Sequence, residues 1–256
     1  MCLLLLALES HPVYKLVIAA NRDEFYDRPT APASFWDDRP DILGGRDLRA
    51  GGTWFGINKK GRVAAITNYR DPASIKSNAP SRGELVSDFL TGDEKPEEYF
   101  ASLDLKARAY NGFNLLVGVK DQICWYSNRG KGTRSLIPGI YGVSNHLLDT
   151  PWPKVSRGKS SLENILLNNP ITSPEVLFHM LLDRSIPDDD NLPDTGVGLE
   201  WERLLSPIFI ASPNYGTRSS TILLIDQNDH VTFMERTHIP SQDQSKEVVF
   251  EFPIED

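Results

Sequence analysis

Cys2 and the run Asn21-Arg22-Asp23-Glu24 are the residues of this 256-residue chain best suited to chemistry. Initiator methionine is commonly removed when the second residue is small. Cys2 would then carry a thiol and a free α-amine, with ordinary pKa values of about 8.5 and about 8, so one residue supplies a nucleophile and its base. The bland alternative is a small buried hydrophobe at the head of a strand. Arg22 shifts the balance, because a guanidinium beside a thiol favours the thiolate. Asp23 or Glu24 could hold the arginine in a bidentate pair or hydrogen-bond the α-ammonium. Taken alone, such a mixed-charge run is ordinarily a solvated turn. Asn68-Tyr69 and Ser144-Asn145-His146 each close an apolar run, where an asparagine amide could donate to an oxyanion, although asparagine also favours turns for local reasons. Tyr215-Gly216-Thr217-Arg218 offers a second cation in Arg218. His146 could serve as an acid or a haem ligand but is more simply a strand-end structural residue. Trp54, Trp125 and Trp201 read as core or pocket wall.

These positions need elements to bring them together. Residues 2–9 and 13–20 are apolar runs around Ser10-His11-Pro12, and they predict a hairpin that returns Arg22 to Cys2. Residues 53–58 and 62–68 flank Lys59-Lys60-Gly61 and predict a second hairpin. Between them, 25–52 is rich in Pro, Asp, Arg and Gly and reads as a long surface loop. Ser81 and Glu84 form a capping-box pattern opening a helix to about residue 90, with a second helical piece at 96–103. Strands are expected at 113–119, 122–127 and 139–144. Helices are expected at 152–167 and 173–183, the latter opened by Ser173 and Pro174. An acidic loop over 187–199 precedes strands at 207–211, 220–226, 230–235 and 247–252. Strands, then helices, then strands again imply two sheets with helices outside them, within one domain spanning 1–256.

Composition removes several function classes. Lys and Arg total 27 against 35 Asp and Glu, a formal charge of -8, so no concentrated positive patch is available for nucleic acid or anionic lipid. No stretch approaches the roughly 18 apolar residues of a membrane span, and residues 3–8 lack the flanks of a secretory signal. Cys2 and Cys124 read as free thiols of a cytoplasmic protein rather than as a disulfide. The five histidines fall in no zinc spacing with them. Asp188-Asp189-Asp190 lacks the calcium-loop pattern, and no metal is expected.

Eight motifs occur in one order: Met1-Cys2 before an apolar strand, Ala20 to Phe25 (ANRDEF), Gly51-Gly52-Thr53-Trp54, Thr67-Asn68-Tyr69, Tyr110-Asn111-Gly112-Phe113-Asn114, Tyr141-Gly142-Val143-Ser144-Asn145, Thr150-Pro151-Trp152 and Tyr215-Gly216-Thr217-Arg218. In these the chain resembles the NRDE-motif family of the Transport and Golgi organisation 2 type, over nearly its whole length. It is more distantly similar to the choloylglycine hydrolase and penicillin V acylase group of N-terminal-nucleophile hydrolases. That resemblance implies an α+β, four-layer αββα sandwich with two antiparallel sheets. It also implies catalytic roles for Cys2, Arg22, Asn68, Asn145 and Arg218, with Asp23, Glu24, Trp54 and Tyr69 around the substrate. One position departs from the group, which has an acidic residue three places after the first arginine, where this chain has Phe25. The ammonium-orienting role then falls to Asp23 or Glu24. Two functions remain open. One is hydrolysis of a non-peptide amide or an acyl thioester by the N-terminal cysteine. The other is non-catalytic carriage of haem, lipid or acyl-CoA, linked by the family to secretory-pathway organisation and lipid homeostasis. Either implies a small-molecule substrate or ligand, and neither fixes an oligomeric state.

Overall fold

Strand β1 (Cys2–Leu8) is apolar at every position after the first, and it is buried on both faces. A strand with one solvated face would alternate, so an unbroken apolar run demands cover on each side. The computed structural model, which describes residues 2–119, 122–169, 172–239 and 245–255, supplies that cover. Leu4, Leu6 and Leu8 point into the core between two sheets. Leu3, Leu5 and Ala7 point outward under helices.

The chain continues through β2 (Tyr14–Phe25), β3 (Thr30–Trp36), β4 (Arg39–Asp47), β5 (Phe55–Asn58), β6 (Arg62–Asn68), α1 (Gly83–Thr91), α2 (Pro96–Asp104), β7 (Phe113–Val119), β8 (Gln122–Ser127), β9 (Thr133–Ser135) and β10 (Gly139–Val143). Then follow α3 (Pro153–Asn168), α4 (Pro174–Leu181), α5 (Leu199–Leu205), β11 (Tyr215–Asp226), β12 (His230–His238) and β13 (Ser245–Pro253). One sheet has the order β10-β1-β2-β11-β12-β13 and the other β3-β4-β5-β6-β7-β8-β9. Every pairing is antiparallel. Helices α3 and α4 cover the outer face of the first sheet, and α1 and α2 that of the second. The architecture is the α+β, four-layer αββα sandwich of the N-terminal-nucleophile hydrolases. No helix among the described residues is long and apolar enough to cross a membrane.

Three expectations need correction. The stretch 25–52 is mostly paired strand, because β2 runs on to Phe25 and β3 and β4 form a further hairpin. Pro29 precedes β3, Pro32 lies on β3, an edge strand, where the β3–β4 register slips between Ala31 and Ser34, and Pro40 stands in β4 before its register with β5 begins at Ile42. Residues 207–211 form no strand beyond one isolated bridge at Ala211. Their polar backbone groups bond elsewhere, Phe209 N to Asp183 O at 2.8 Å and Ile210 N to Thr217 Oγ1 at 2.9 Å. Helix α1 starts at Gly83 without a side-chain cap, and Glu84, expected to close the capping box, takes the Tyr110 hydroxyl instead. Helix α5 and strand β9 were not anticipated. The Ser173 cap does form, its hydroxyl accepting from Glu175 N at 3.3 Å.

Candidate active site

Alternation along β2 divides the NRDE run between two faces. Leu16, Ile18 and Ala20 line the core between the sheets, and Val17 and Ala19 lie under the helices. Continuing that period of two, Arg22 and Glu24 face the opposing sheet, and Asn21 and Asp23 face the helices. The contacts agree. Arg22 lies directly across from Cys2 in the β1–β2 register, and its guanidinium carbon sits 4.1 Å from the centre of the Trp54 ring. Asn21, 1 % exposed, donates through Nδ2 to Leu181 O at 2.8 Å and Ile208 O at 2.9 Å, and its Oδ1 accepts the Ser220 hydroxyl at 2.6 Å. Asn21 thus fastens α4 and the 207–211 segment to the sheet. Asn21→Ala would strand two carbonyls in the interior, while Ser220 Oγ keeps His238 Nε2 at 2.9 Å, so an unfolding titration should record a loss of roughly 2–4 kcal/mol. A loss under about 0.5 kcal/mol would contradict the assignment.

Burial dominates at Cys2. It raises the thiol's pKa and the Asp23 carboxyl acts in the same direction, while the chain's terminal ammonium, then Arg22 and a hydrogen bond from the Asp23 backbone, oppose it. The sequence expectation of a thiol shifted downward by Arg22 is therefore corrected. Arg22 acts in the expected sense, and desolvation outweighs it. Burial also lowers the pKa of Arg22, with Cys2 and Glu24 opposing. Deeper between the sheets, Glu235 is 1 % exposed; its Oε1 accepts from Ala33 N at 2.7 Å and its Oε2 from the Thr221 hydroxyl at 3.2 Å.

The two asparagines meet at the same end of the sandwich. Asn145 Nδ2 donates to Asn68 O at 2.9 Å, and Arg70 N donates to Asn145 O at 2.7 Å. Next to them, Ser144 Oγ donates to Cys2 O at 2.9 Å, and Thr67 Oγ1 donates to Ser144 O at 2.6 Å. The strand ends carrying Cys2, Asn68 and Asn145 are thus laced together across the two sheets. One N–H of the Asn145 amide remains for another acceptor.

Arg218 is the extra residue of a bulge in β11, opposite Arg22 and Asp23. Its guanidinium turns toward the β2–β3 turn and donates to Phe25 O at 2.8 Å, Arg28 O at 3.1 Å and Thr30 Oγ1 at 3.3 Å. It lies beside the site and pins that turn. Glu24 accepts from Phe25 N at 2.9 Å and lies 3.9 Å from Arg28. Tyr69 packs on His146, ring centres 4.9 Å apart, and His146 Nδ1 is hydrogen-bonded to Thr150 Oγ1 at 2.8 Å. Met1, whose removal the chemistry requires, lies outside the described residues.

Sequence reasoning missed the charges behind Asp23. Asp23 is 1 % exposed and its Oδ1 accepts the Thr217 hydroxyl at 2.7 Å. Burial raises its carboxyl pKa, and Lys154 is the strongest charge opposing that shift. Lys154 is 2 % exposed, and burial pulls its ammonium down to about 8. The missed signal was periodicity: Lys154, Gly158, Leu162 and Leu166 form the buried stripe of α3. A Cβ at Gly158 would fall 2.9 Å from Leu5 Cδ1, so that stripe lies hard against β1. Arg82, at the start of α1, was missed too. Burial lowers its pKa, with Cys2 and Glu24 opposing, which places a further cation near the thiol.

Comparison with known proteins agrees with this architecture. A solved structure, the C2A mutant of conjugated bile acid hydrolase from Clostridium perfringens, superposes with a TM-score of 0.54 at 9% identity, covering 98% of this chain and 96% of that one. That likeness is one of fold. The family described as Transport and Golgi organisation 2 matches residues 1–240. The Transport and Golgi organization 2 homolog of Mus musculus is 38% identical over 257 residues, with 93% of each chain covered. The Homo sapiens homolog shows the same identity and coverage, and the Drosophila melanogaster protein is 29% identical over 266 residues, with 93% of this chain and 92% of that one covered. With the motif run, the fold and near-full-length relatives in agreement, the chain belongs to the Transport and Golgi organisation 2 family.

Proposed function

We propose that this protein is an N-terminal-cysteine hydrolase acting on a non-peptide amide or an acyl thioester, in the cytoplasm. The observation that carries the reading is the pairing of Cys2 with Arg22 across β1 and β2, laced through Ser144 to the two asparagines. In the reaction, Met1 is absent and the Cys2 sulfur attacks the substrate carbonyl. The S–C bond forms as the carbonyl π pair moves to oxygen, and the thiol proton passes to the α-amine. Asn145 and Asn68 donate to the oxyanion. Collapse expels the amine or thiol, which takes up that proton, and water releases the acid from the acyl-enzyme. Of the two acids considered for orienting the α-ammonium, Asp23 is favoured, because its backbone already bonds the thiol and Glu24 is turned to the other face.

Intact-mass measurement tests the first requirement, and a panel of acyl amides and thioesters the second. A mature chain lacking Met1 that turns over one of them supports the reading. A chain that keeps Met1 has no α-amine at Cys2 and turns over neither; a carrier of haem or lipid is then the better account.

Alkylation offers a check independent of substrate. Cys2 is partly exposed and Cys124 fully buried, and desolvation pushes the Cys124 thiol up to about 11. Iodoacetamide should label Cys2 first, at a rate that climbs with pH as the thiolate forms. Arg22→Met removes an influence that lowers the Cys2 pKa, so its labelling at pH 7 should slow. Equal labelling of both cysteines, or indifference to Arg22→Met, would speak against a primed nucleophile.

A further inference from the structure

Buried lysines are uncommon because the ammonium loses its hydration, and they persist where a compensating charge or a task holds them. Lys154 lies at the second position of α3 on the stripe packed against β1. Its Nζ has no hydrogen-bond partner among the described residues. The charged or titratable groups acting on it are Asp23 from β2, Cys2 from β1, Arg70 beyond the end of β6 and Glu202 from α5. Asp23 in turn is acted on by Lys154, by the chain's terminal ammonium, by the Thr217 hydroxyl from β11 and by Arg22 on its own strand, and its charge reaches Tyr215 at the start of β11. Nothing in the proposed reaction uses the lysine.

We infer that Lys154 is a positioning residue for the nucleophile, a buried counter-charge that offsets the Asp23 carboxylate behind the β1–β2 pair and keeps that carboxylate from holding the Cys2 proton in place. The inference rests on the reading of Cys2 as nucleophile and assigns a residue that reading leaves idle. The sign follows from the layout. With Lys154 removed, the Asp23 carboxylate repels the developing thiolate more strongly and, once Met1 is gone, binds the α-ammonium more firmly, making it a poorer base. A buried cation acting on the carboxylate from the α3 side relieves both effects. Arg22 cannot take over this task, since alternation places its side chain on the face toward Trp54.

The experiment is the pH–rate profile of Cys2 alkylation by iodoacetamide, followed by mass spectrometry that also reports residue 1, in wild type, Lys154→Met, Lys154→Arg and the double variant Asp23→Asn/Lys154→Met. Removing the cation should move the profile to higher pH and slow labelling at pH 7 roughly tenfold, the equivalent of one pKa unit. Lys154→Arg should hold the wild-type profile. The double variant, with both charges gone, should return toward it. That rescue separates counter-charge from packing, because a packing defect at Lys154 is not mended at Asp23. The double variant also keeps the test alive if Lys154→Met leaves Asp23 buried alone and fails to fold, since replacing both members of a buried pair is tolerated far better than removing one. An unmoved profile in Lys154→Met, an equal displacement in Lys154→Arg, or no rescue by Asp23→Asn would overturn the assignment. Failure of the nucleophile reading looks different, because wild-type Cys2 would then react no faster than Cys124.

Discussion

Cys2→Ala should abolish turnover of whichever amide or thioester the wild type accepts, by on the order of a thousandfold or more, with little effect on folding. The kinetic size follows from the role, since loss of a covalent nucleophile removes the pathway and leaves only oxyanion and binding contributions. The small stability effect follows from position. Cys2 heads β1, the residue is partly exposed, and the strand is held by the register running from Leu3 to Leu8. Melting of Cys2→Ala should stay within about 1 kcal/mol of wild type. Cys2→Ser should retain a residual rate, because the hydroxyl is a weaker nucleophile at the same place. Adding one residue ahead of Cys2 should cost as much as Cys2→Ala while the thiol remains, since it removes the amine and not the sulfur. A wild-type rate in Cys2→Ala would end the proposal. Full activity with an added residue would remove the α-amine from the mechanism and keep the thiol.

How far the sequence revealed this depends on whether local pattern or distant contact decides each residue. The unbroken apolar run of β1 implied cover on both faces, and Lys59-Lys60-Gly61 announced a turn, with Gly61 at φ +74. Both signals are local. The β3–β4 hairpin was hidden because Pro29, Pro32 and Pro40 with Gly44 and Gly45 read as loop. Pro29 precedes β3, Pro32 sits on that edge strand and Pro40 stands in β4 ahead of its pairing with β5, and Gly44 is required because a Cβ there would meet Phe55 O at 2.7 Å, where two glycines, Gly44 and Gly56, face one another across the pair. At the site, the hairpin argument was enough to bring Arg22 to Cys2. The separate duties of the NRDE residues were also implicit, since a strand sends alternate side chains to opposite faces, but naming those faces required knowing that a helix layer covers one and a second sheet the other. Lys154 and Arg82 could not be recognised in advance. A lysine in the first turn of a helix ordinarily reaches solvent, and only the packing of α3 against β1 decides otherwise. The direction of the Cys2 shift was misread for a related reason, because an adjacent arginine is visible in sequence and desolvation is not.

The largest stability effect is expected at Glu202 on α5. Arg70 Nη1 and Glu202 Oε2 form an ion pair at 2.5 Å with side-chain exposures of 5% and 4%. The Arg70 guanidinium also lies 4.9 Å from the Trp152 ring, and the second carboxylate oxygen of Glu202 accepts from Thr195 N at 2.8 Å. Glu202→Gln keeps the shape and an acceptor for Thr195 but leaves the arginine charge buried and unopposed. Breaking a buried pair from one side costs about 3–5 kcal/mol, which for a chain of this size corresponds to a fall in melting temperature of roughly 10 °C. The companion variant Arg70→Met/Glu202→Gln removes both charges and should recover most of that loss. Screening adds a second signature, since a pair this dry should respond little to salt between about 0.05 and 0.5 M, whereas an exposed pair would weaken. The site should register the change too. Arg70 N holds Asn145 O at 2.7 Å, and Asn145 holds Asn68, so slack at Arg70 loosens both proposed oxyanion donors and should lower turnover even at temperatures where Glu202→Gln remains folded. If Glu202→Gln melts within about 1 kcal/mol of wild type, or the double variant is no better than the single, then α5 is not the brace of this corner and the asparagines are held by their own strands alone.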